Sequence, residues 1–326
     1  MDAAARLREL SDLATPWAVW IATTLGLPDH IEAGATTLEP LAEAAGADPD
    51  ALRRLLALLV ARGVLAESDG VYANTEVSAL LVGGGWRSWF DLDGAPAIWA
   101  ASWPRLLQAV RTGSPGRDEG WYYEELARTG RGEHFDELMA AQVRANAERL
   151  AEAYDWSGVG HVVDLGGGTG TLVRTLLAAH PHLRGTLYER PQVAAGVEPE
   201  ERLEVVAGDL LVDPLPAADV YVLSQILHGW PDPGAEAILA RCAAAAPRVL
   251  VVEGVQPERP SADEASFDLF MLTLSGGRQR TLADFRRLGA VCGLALVGES
   301  PLAGGVSLVQ LAREPPPRRP RRPPGR

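Results

Sequence analysis

The chain has 326 residues, enough for about two domains, and 47% of them are hydrophobic, so an ordinary core can be built. Its net charge is −13, and since the last twelve residues hold five arginines and no acid, residues 1–314 stand at −18. That body repels phosphate backbones, which disfavours a nucleic-acid partner; no apolar run approaches the roughly 20 residues of a membrane span, and nothing at the amino terminus resembles a signal peptide. A soluble, cytoplasmic protein with no membrane partner is expected. Every basic residue is arginine, which with the Ala, Gly and Pro content points to codon bias. Two cysteines, Cys242 and Cys292, are too few and too far apart for a metal or disulfide framework, so no metal is expected and both are read as small buried hydrophobes.

Residues 2–27 follow a helical period, and Trp17, Trp20, Ile21, Thr24 and Leu25 form an apolar stripe after Pro16 that is too hydrophobic for a lone surface helix. Next comes a helix over about 37–45, a turn at Gly46, Asp48-Pro49 as cap and first-turn proline, and a helix carrying Leu52, Leu55, Leu56 and Leu59 that ends at Gly63. Val64-Leu65, Ser68-Asp69-Gly70 and Val71-Tyr72 read as a small hairpin, completing a winged-helix pattern. Its two uses are DNA binding, with Arg53, Arg54 and Arg62 near the recognition helix, and subunit contact. Asp48, Asp50, Glu67 and Asp69 flank those arginines, so residues 1–85 are expected to be a dimerisation domain and the protein a homodimer.

Residues 86–153 are expected to be a helical linker and substrate-pocket region. Five of the nine tryptophans fall at 86, 89, 99, 103 and 121, in helical segments broken by Gly94, Pro96, Pro104 and a Gly/Pro/Ser loop at 113–116. A helix follows with Phe135, Leu138, Met139, Gln142, Val143 and Asn146 on neighbouring turns. Pocket and core use the same residue types, so this set is read as either core or the lining for a flat hydrophobic ligand.

Residues 154–314 alternate strand and helix. His161 to Leu165 reads as a buried strand running into Gly166-Gly167-Gly168-Thr169-Gly170, after which Leu172, Val173, Leu176 and Leu177 recur at helical spacing. A dinucleotide fingerprint is not met, since the third glycine position is Thr171 read from Gly166 and Val173 read from Gly168. Instead an acid, Asp164, is followed by glycines at every second position, which resembles the first motif of class I S-adenosylmethionine (SAM) methyltransferases. Later strands are read at 186–189, 203–206, 220–223 and 249–253, with helices at 235–245 and 281–292, giving a Rossmann-like, doubly wound α/β fold with a mostly parallel sheet. Glu189, 19 residues beyond Gly170, is placed to accept ribose hydroxyls. Glu189, Asp209, His228 and Glu253 fall at the carboxyl ends of consecutive strands, and that joint placement marks His228 as functional. Pro315 to Arg326 is a Pro/Arg tail of disordered composition.

These stretches together resemble the plant-type small-molecule O-methyltransferases, in particular the bacterial branch acting on aromatic natural products. The resemblance covers nearly the whole chain and rests on Asp12 to Pro16, the winged helix, Tyr154-Asp155-Trp156, Val163 to Gly170, Gly208-Asp209, Leu227 to Asp232, Val251 to Glu253, and Asp268 through Met271 to Gly276-Gly277-Arg278-Gln279-Arg280-Thr281. It implies that Asp164, Gly166, Gly168, Glu189, Asp209, Leu210 and Ser224 bind SAM, that His228 is the general base with Glu253 a second catalytic acid, and that the amino-terminal domain forms an interlocked dimer. Trp99, Trp103, Phe135, Met139, Phe270 and Met271 are then expected to line the site of a small aromatic substrate bearing a phenol. Three departures stand out: Gly229 where the family usually has Asp, Gln279 where many members have Glu, and Glu189-Arg190-Pro191 in place of Asp-Leu-Pro. Two other readings remain: a relative that keeps SAM as a bound structural cofactor during hydroxylation or decarboxylation, and a winged-helix ligand sensor.

Overall fold

The computed structural model describes residues 2–118 and 120–313, so the Pro/Arg tail lies outside the described residues. The chain divides into two compact units. One takes the described residues of Met1–Ala101 together with Leu126–Leu138, and the other takes those of Ser102–Glu125 and Met139–Arg326.

In the first unit Asp48 caps helix Pro49–Ala61 by accepting the Ala51 N–H at 2.9 Å, with Pro49 in the first turn. That helix, helices Leu27–Glu32 and Leu38–Ala45, and the hairpin β1 (Leu65–Ser68) and β2 (Val71–Asn74) enclose a core of Leu27, Leu41, Leu52, Leu56 and Leu59. The stretch 2–27 read at one helical period breaks into Ala3–Leu10 and Ala14–Thr24, and its last residue opens a third helix, Leu27–Glu32. One break comes where the Asp12 carboxylate accepts the Ala14 N–H at 2.9 Å, and the other at Gly26, a left-handed residue. Leu7, Leu10, Leu13, Trp17 and Ile21 stay exposed on the first two of these helices and their connection. Arg53 and Arg54 both bind Asp50, at 2.5 and 2.6 Å, and Arg62 binds Asp12 at 2.8 Å, so each arginine a DNA reading would need is engaged by a carboxylate of its own chain.

The second unit is a seven-stranded sheet. Its strands are β3 (His161–Leu165), β4 (Arg184–Glu189), β5 (Leu203–Ala207), β6 (Val220–Ser224), β7 (Arg248–Gly254), β8 (Leu294–Pro301) and β9 (Val306–Arg313). They lie in the order β5-β4-β3-β6-β7-β9-β8. The first five are parallel, and β9 and β8 return antiparallel at one edge. One buried cluster joins Val162, Leu187, Val222 and Leu250 to Leu172 and Leu176 of helix Thr171–Ala179. The other joins Val163, Leu223 and Val251 to helices Asp232–Ala245 and Leu282–Val291. Helices therefore cover both faces, which is why the central strands are apolar at nearly every position. The order reverses between β3 and β6, so the crevice such a sheet offers a ligand opens at the carboxyl ends of these two strands.

Candidate active site

Two turns occupy that crevice. After β3 the chain passes through Gly166, whose φ of +72° and an Ile226 Cδ1 atom 2.6 Å from where a Cβ would stand leave room for no side chain. Glu189, at the end of β4 and only 7% exposed, ties the turn down: its Oε2 accepts the Gly168 N–H at 3.0 Å, while Oε1 accepts the Arg190 N–H at 2.8 Å. Arg190 also pairs with Glu189 at 3.4 Å and places its guanidinium over the Tyr123 ring at 4.0 Å. Asp164 is fully buried beneath the turn. Its Oδ2 accepts the Val173 N–H at 3.3 Å, and burial pushes its carboxyl up to about 7. Asp209 is exposed after β5, where Oδ1 accepts the Leu211 N–H at 2.7 Å, and the Leu210 carbonyl accepts from Arg241 at 2.8 Å.

The second turn follows β6. Gln225 adopts a φ of +57°, rare for a residue with a side chain, and donates its N–H to Val252 O at 3.0 Å, swinging the chain into the short 3-10 turn Leu227–Gly229. Glu253 of β7 is 1% exposed and faces this turn: Oε1 accepts the backbone N–H groups of Leu227 and of His228, the latter at 3.2 Å. Its bonds therefore go to the turn's backbone, and a polar side chain that meets the imidazole is Gln279, whose Nε2 lies 3.5 Å from His228 Nδ1. Desolvation, followed by the Arg280 charge, pushes His228 down to about 4; burial pushes Glu253 up to about 7 against Arg280 and the amides it accepts.

Between the turns, Asp164 Oδ1 and Ser224 Oγ are buried without a hydrogen-bond partner. Unpartnered polar atoms are costly in a protein interior, so two of them at the crevice are a mark of a ligand that supplies the missing bonds.

From His228 aromatic rings follow one another. Phe267 meets the imidazole edge-on with centroids 5.7 Å apart, Phe270 lies 6.1 Å from Phe267, and Trp103 lies 6.2 Å from Phe270. Of the expected lining, Trp103 and Phe270 are thus brought together; Met139 is half-buried on helix Gly132–Ala153, and Met271 is buried. Trp99 and Phe135 belong to the first unit, where Trp99 packs on Trp89 at 5.6 Å. Phe267 is not among the expected residues. Its place one turn before Phe270 and Met271 on helix Ala262–Ser275 is the helical spacing that could have marked it. Among the described residues no group of three or more His, Cys, Asp or Glu side chains is placed to hold a metal ion, and no helix is long and apolar enough to cross a membrane.

Comparison with known proteins gives matches along almost the whole chain. Residues 116–295 match the model of the O-methyltransferase domain, and residues 9–84 that of the O-methyltransferase dimerisation domain. The 2,7-dihydroxy-5-methyl-1-naphthoate 7-O-methyltransferase of Streptomyces carzinostaticus is 40% identical over 94% of this chain and 96% of its own. The aclacinomycin 10-hydroxylase RdmB of Streptomyces purpurascens is 39% identical over 90% of this chain and 84% of its own. Among solved structures, the O-methyltransferase NcsB1 from neocarzinostatin biosynthesis, in complex with SAM and 2-hydroxy-5-methyl naphthoic acid, superimposes with a TM-score of 0.86 at 39% identity, covering 94% of this chain and 98% of that one.

Proposed function

The chain belongs to the SAM-dependent O-methyltransferases, and from that premise we propose that it methylates a phenolic hydroxyl of a flat aromatic natural-product intermediate, with His228 as general base. The observation that carries this reading is the setting of His228: its imidazole starts the series Phe267, Phe270 and Trp103, and it follows by two residues Ile226, whose side chain lies against Gly166 of the glycine turn.

The residues of the first turn suit SAM. Asp164 Oδ1 and Ser224 Oγ have bonds to offer, Glu189 has accepting capacity left for ribose hydroxyls after its two backbone contacts, and the side-chain-free turn lets a ligand lie against the backbone. Asp209 and Leu210, at the end of β5, are assigned to the same ligand. When bound, SAM supplies an activated sulfonium methyl group. Trp103, Phe270 and Phe267, with Met139 and Met271, are assigned to a planar apolar acceptor; Met adapts to ring edges of varied shape.

His228, held near 4, is neutral at physiological pH and so ready to accept a proton. A phenol has a pKa of about 10, so full transfer to this imidazole before methylation is uphill by about 6 units. The imidazole therefore takes the proton as the oxygen loses charge to the incoming methyl, and orientation of the acceptor carries much of the rate. Gln279 offers Nδ1 an amide, which can face either ring tautomer but brings no negative charge to stabilise an imidazolium.

Exposed Leu7, Leu10, Leu13, Trp17 and Ile21, together with the match to a dimerisation domain, support a homodimer through the first unit; light scattering should return twice 34.7 kDa. The activity is tested by incubating the protein with SAM and a panel of hydroxylated aromatic acids and polycyclic phenols. One added methyl group per turnover and an equal amount of S-adenosylhomocysteine are expected by mass spectrometry. The similarity to a 10-hydroxylase favours a second reading, in which SAM stays bound and unconverted. An oxygenated product without S-adenosylhomocysteine would select it.

A further inference from the structure

Arg280 is the one arginine among the largest fully buried side chains of the described residues, and its bonds converge on the turn that carries His228. Nη1 donates to Leu227 O at 2.5 Å, Nη2 donates to Trp230 O at 2.9 Å, and Nε and Nη2 reach Asp232 Oδ1 at 3.3 and 3.0 Å. Its own carbonyl accepts the Gln256 N–H at 2.9 Å, which anchors it beside the end of β7, the strand that supplies Glu253. Glu253 takes the N–H groups of Leu227 and His228 from the other side. Arg278 adds a third hold, donating its N–H to His228 O at 2.9 Å.

We propose that Arg280 is a positioning residue for the reaction, clamping the carbonyl side of the His228 turn while Glu253 clamps its amide side, so that the two together fix where the imidazole stands. The proposal rests on the reading of His228 as base and adds to it a residue 52 positions downstream that touches no reacting atom. A guanidinium is suited to the task because its planar fork serves two carbonyls and one carboxylate at once, and its charge is balanced at Asp232. Lysine, a point donor on a flexible stem, does not span the same three acceptors.

The clamp has an electrostatic side. The Arg280 charge lowers the imidazole's affinity for a proton. Other charged groups packed around the turn are Glu253 from β7, Asp232 and Glu236 from helix Asp232–Ala245, Asp268 from helix Ala262–Ser275, Arg278 from the segment after it, and Asp284 and Arg287 from helix Leu282–Val291. Glu253, raised by burial, is already neutral in the range where His228 titrates and does not offset a change at Arg280. Removing the guanidinium therefore raises the His228 pKa.

The test uses Arg280→Met and Arg280→Lys in the full chain, each with three readouts: SAM affinity by calorimetry, kcat and KM with the acceptor, and the His228 imidazole titration by proton NMR, its signal assigned by its absence in His228→Ala. Arg280→Met is expected to keep SAM affinity within about threefold, to lose at least tenfold in kcat, and to shift the His228 titration upward. Arg280→Lys should keep the titration near wild type while still losing kcat, because charge is kept and the two-carbonyl bridge is not. A folded Arg280→Met with wild-type kcat and an unmoved titration overturns the proposal. If Arg280→Met does not fold, a wild-type kcat in Arg280→Lys does the same. Full activity in His228→Ala would remove the base reading instead, and the NMR titration would still report whether Arg280 acts on the imidazole.

Discussion

The two turns at the carboxyl edge of the sheet are built in opposite ways. The turn after β3 takes its shape from its own glycines, Gly166, Gly168 and Gly170, all at positive φ, with one hold from outside where Glu189 of β4 pins Gly168. The turn after β6 contains one glycine, and its conformation is imposed from outside, by Glu253 on its amides, by Arg280 on its carbonyls and by Gln279 at the imidazole. The first leaves backbone bare of side chains above Asp164, whose buried Oδ1 has no partner, as suits binding. The second immobilises a single side chain, as suits proton transfer, and it spends buried charge to do so. A turn that must accept a ligand is made by removing side chains; one that must aim a side chain is made by surrounding it.

If this division of labour holds, substitutions in the two turns separate kinetically. The largest effect is expected at the second turn: His228→Ala should lower kcat by about 10²–10⁴-fold, toward the lower end because Gln279 and Gly229 bring no carboxylate, with SAM affinity near wild type. Wild-type activity at neutral pH would mean that orientation alone drives the reaction. At the first turn, Glu189→Ala should weaken SAM by about 10- to 100-fold, the equivalent of about 1.5–3 kcal/mol for a charge-assisted bond, while leaving the pH profile in place. Unchanged affinity by calorimetry would take Glu189 out of the site. A shifted pH profile in that variant would break the comparison itself.

The pH profile sharpens it further. Because the base works only when neutral, kcat/KM should fall as pH drops through the His228 pKa, near 4 and not at the ordinary 6.5. Gln279→Glu sets a negative charge near Nδ1, so the imidazole should hold its proton to higher pH and the acid limb should rise by about one unit or more. A limb that does not move would show that residue 279 does not sense the ring's charge. The smallest effect is expected for Ser224→Ala, which removes one neutral hydrogen bond of about 1 kcal/mol and should weaken SAM roughly fivefold. An increase in SAM affinity would mean that the hydroxyl opposes binding.

The contrast between the turns also explains how much of the site is legible in the order of the amino acids. Asp164, Gly166 and Gly168 stand out because the β3 turn is local: apolar strand, acid, alternating glycines and helix follow one another in the chain, and Glu189 stands out by ending the next strand 19 residues beyond Gly170. His228 stands out because consecutive strands place their last residues on one rim. A catalytic part for Glu253 is implied by the family resemblance and by its place on the rim, and neither says which atoms meet; its oxygen goes to amides of the turn. Phe267 is within reach of the same helical spacing that flags Phe270 and Met271. Arg280 is visible only as part of a motif, since nothing around an arginine in a polar stretch announces that its side chain is wholly buried.

By itself, then, the sequence determined the alternation of strands and helices, the doubly wound sheet, the winged-helix segment and the sheet edge on which the candidate site residues fall, because these follow from hydrophobic period, caps and turn residues that act within a few positions. Only the tertiary structure decided the antiparallel return of β8 and β9, which of the aromatic residues stand in line with His228, and that Glu253 and Arg280 grip the turn from two sides. The grip on the turn depends on residues 25 to 53 positions from the amides and carbonyls they bind, and a buried polar group takes the partner that the packing of the whole sheet brings within about 3 Å, not one its neighbours in the chain prescribe.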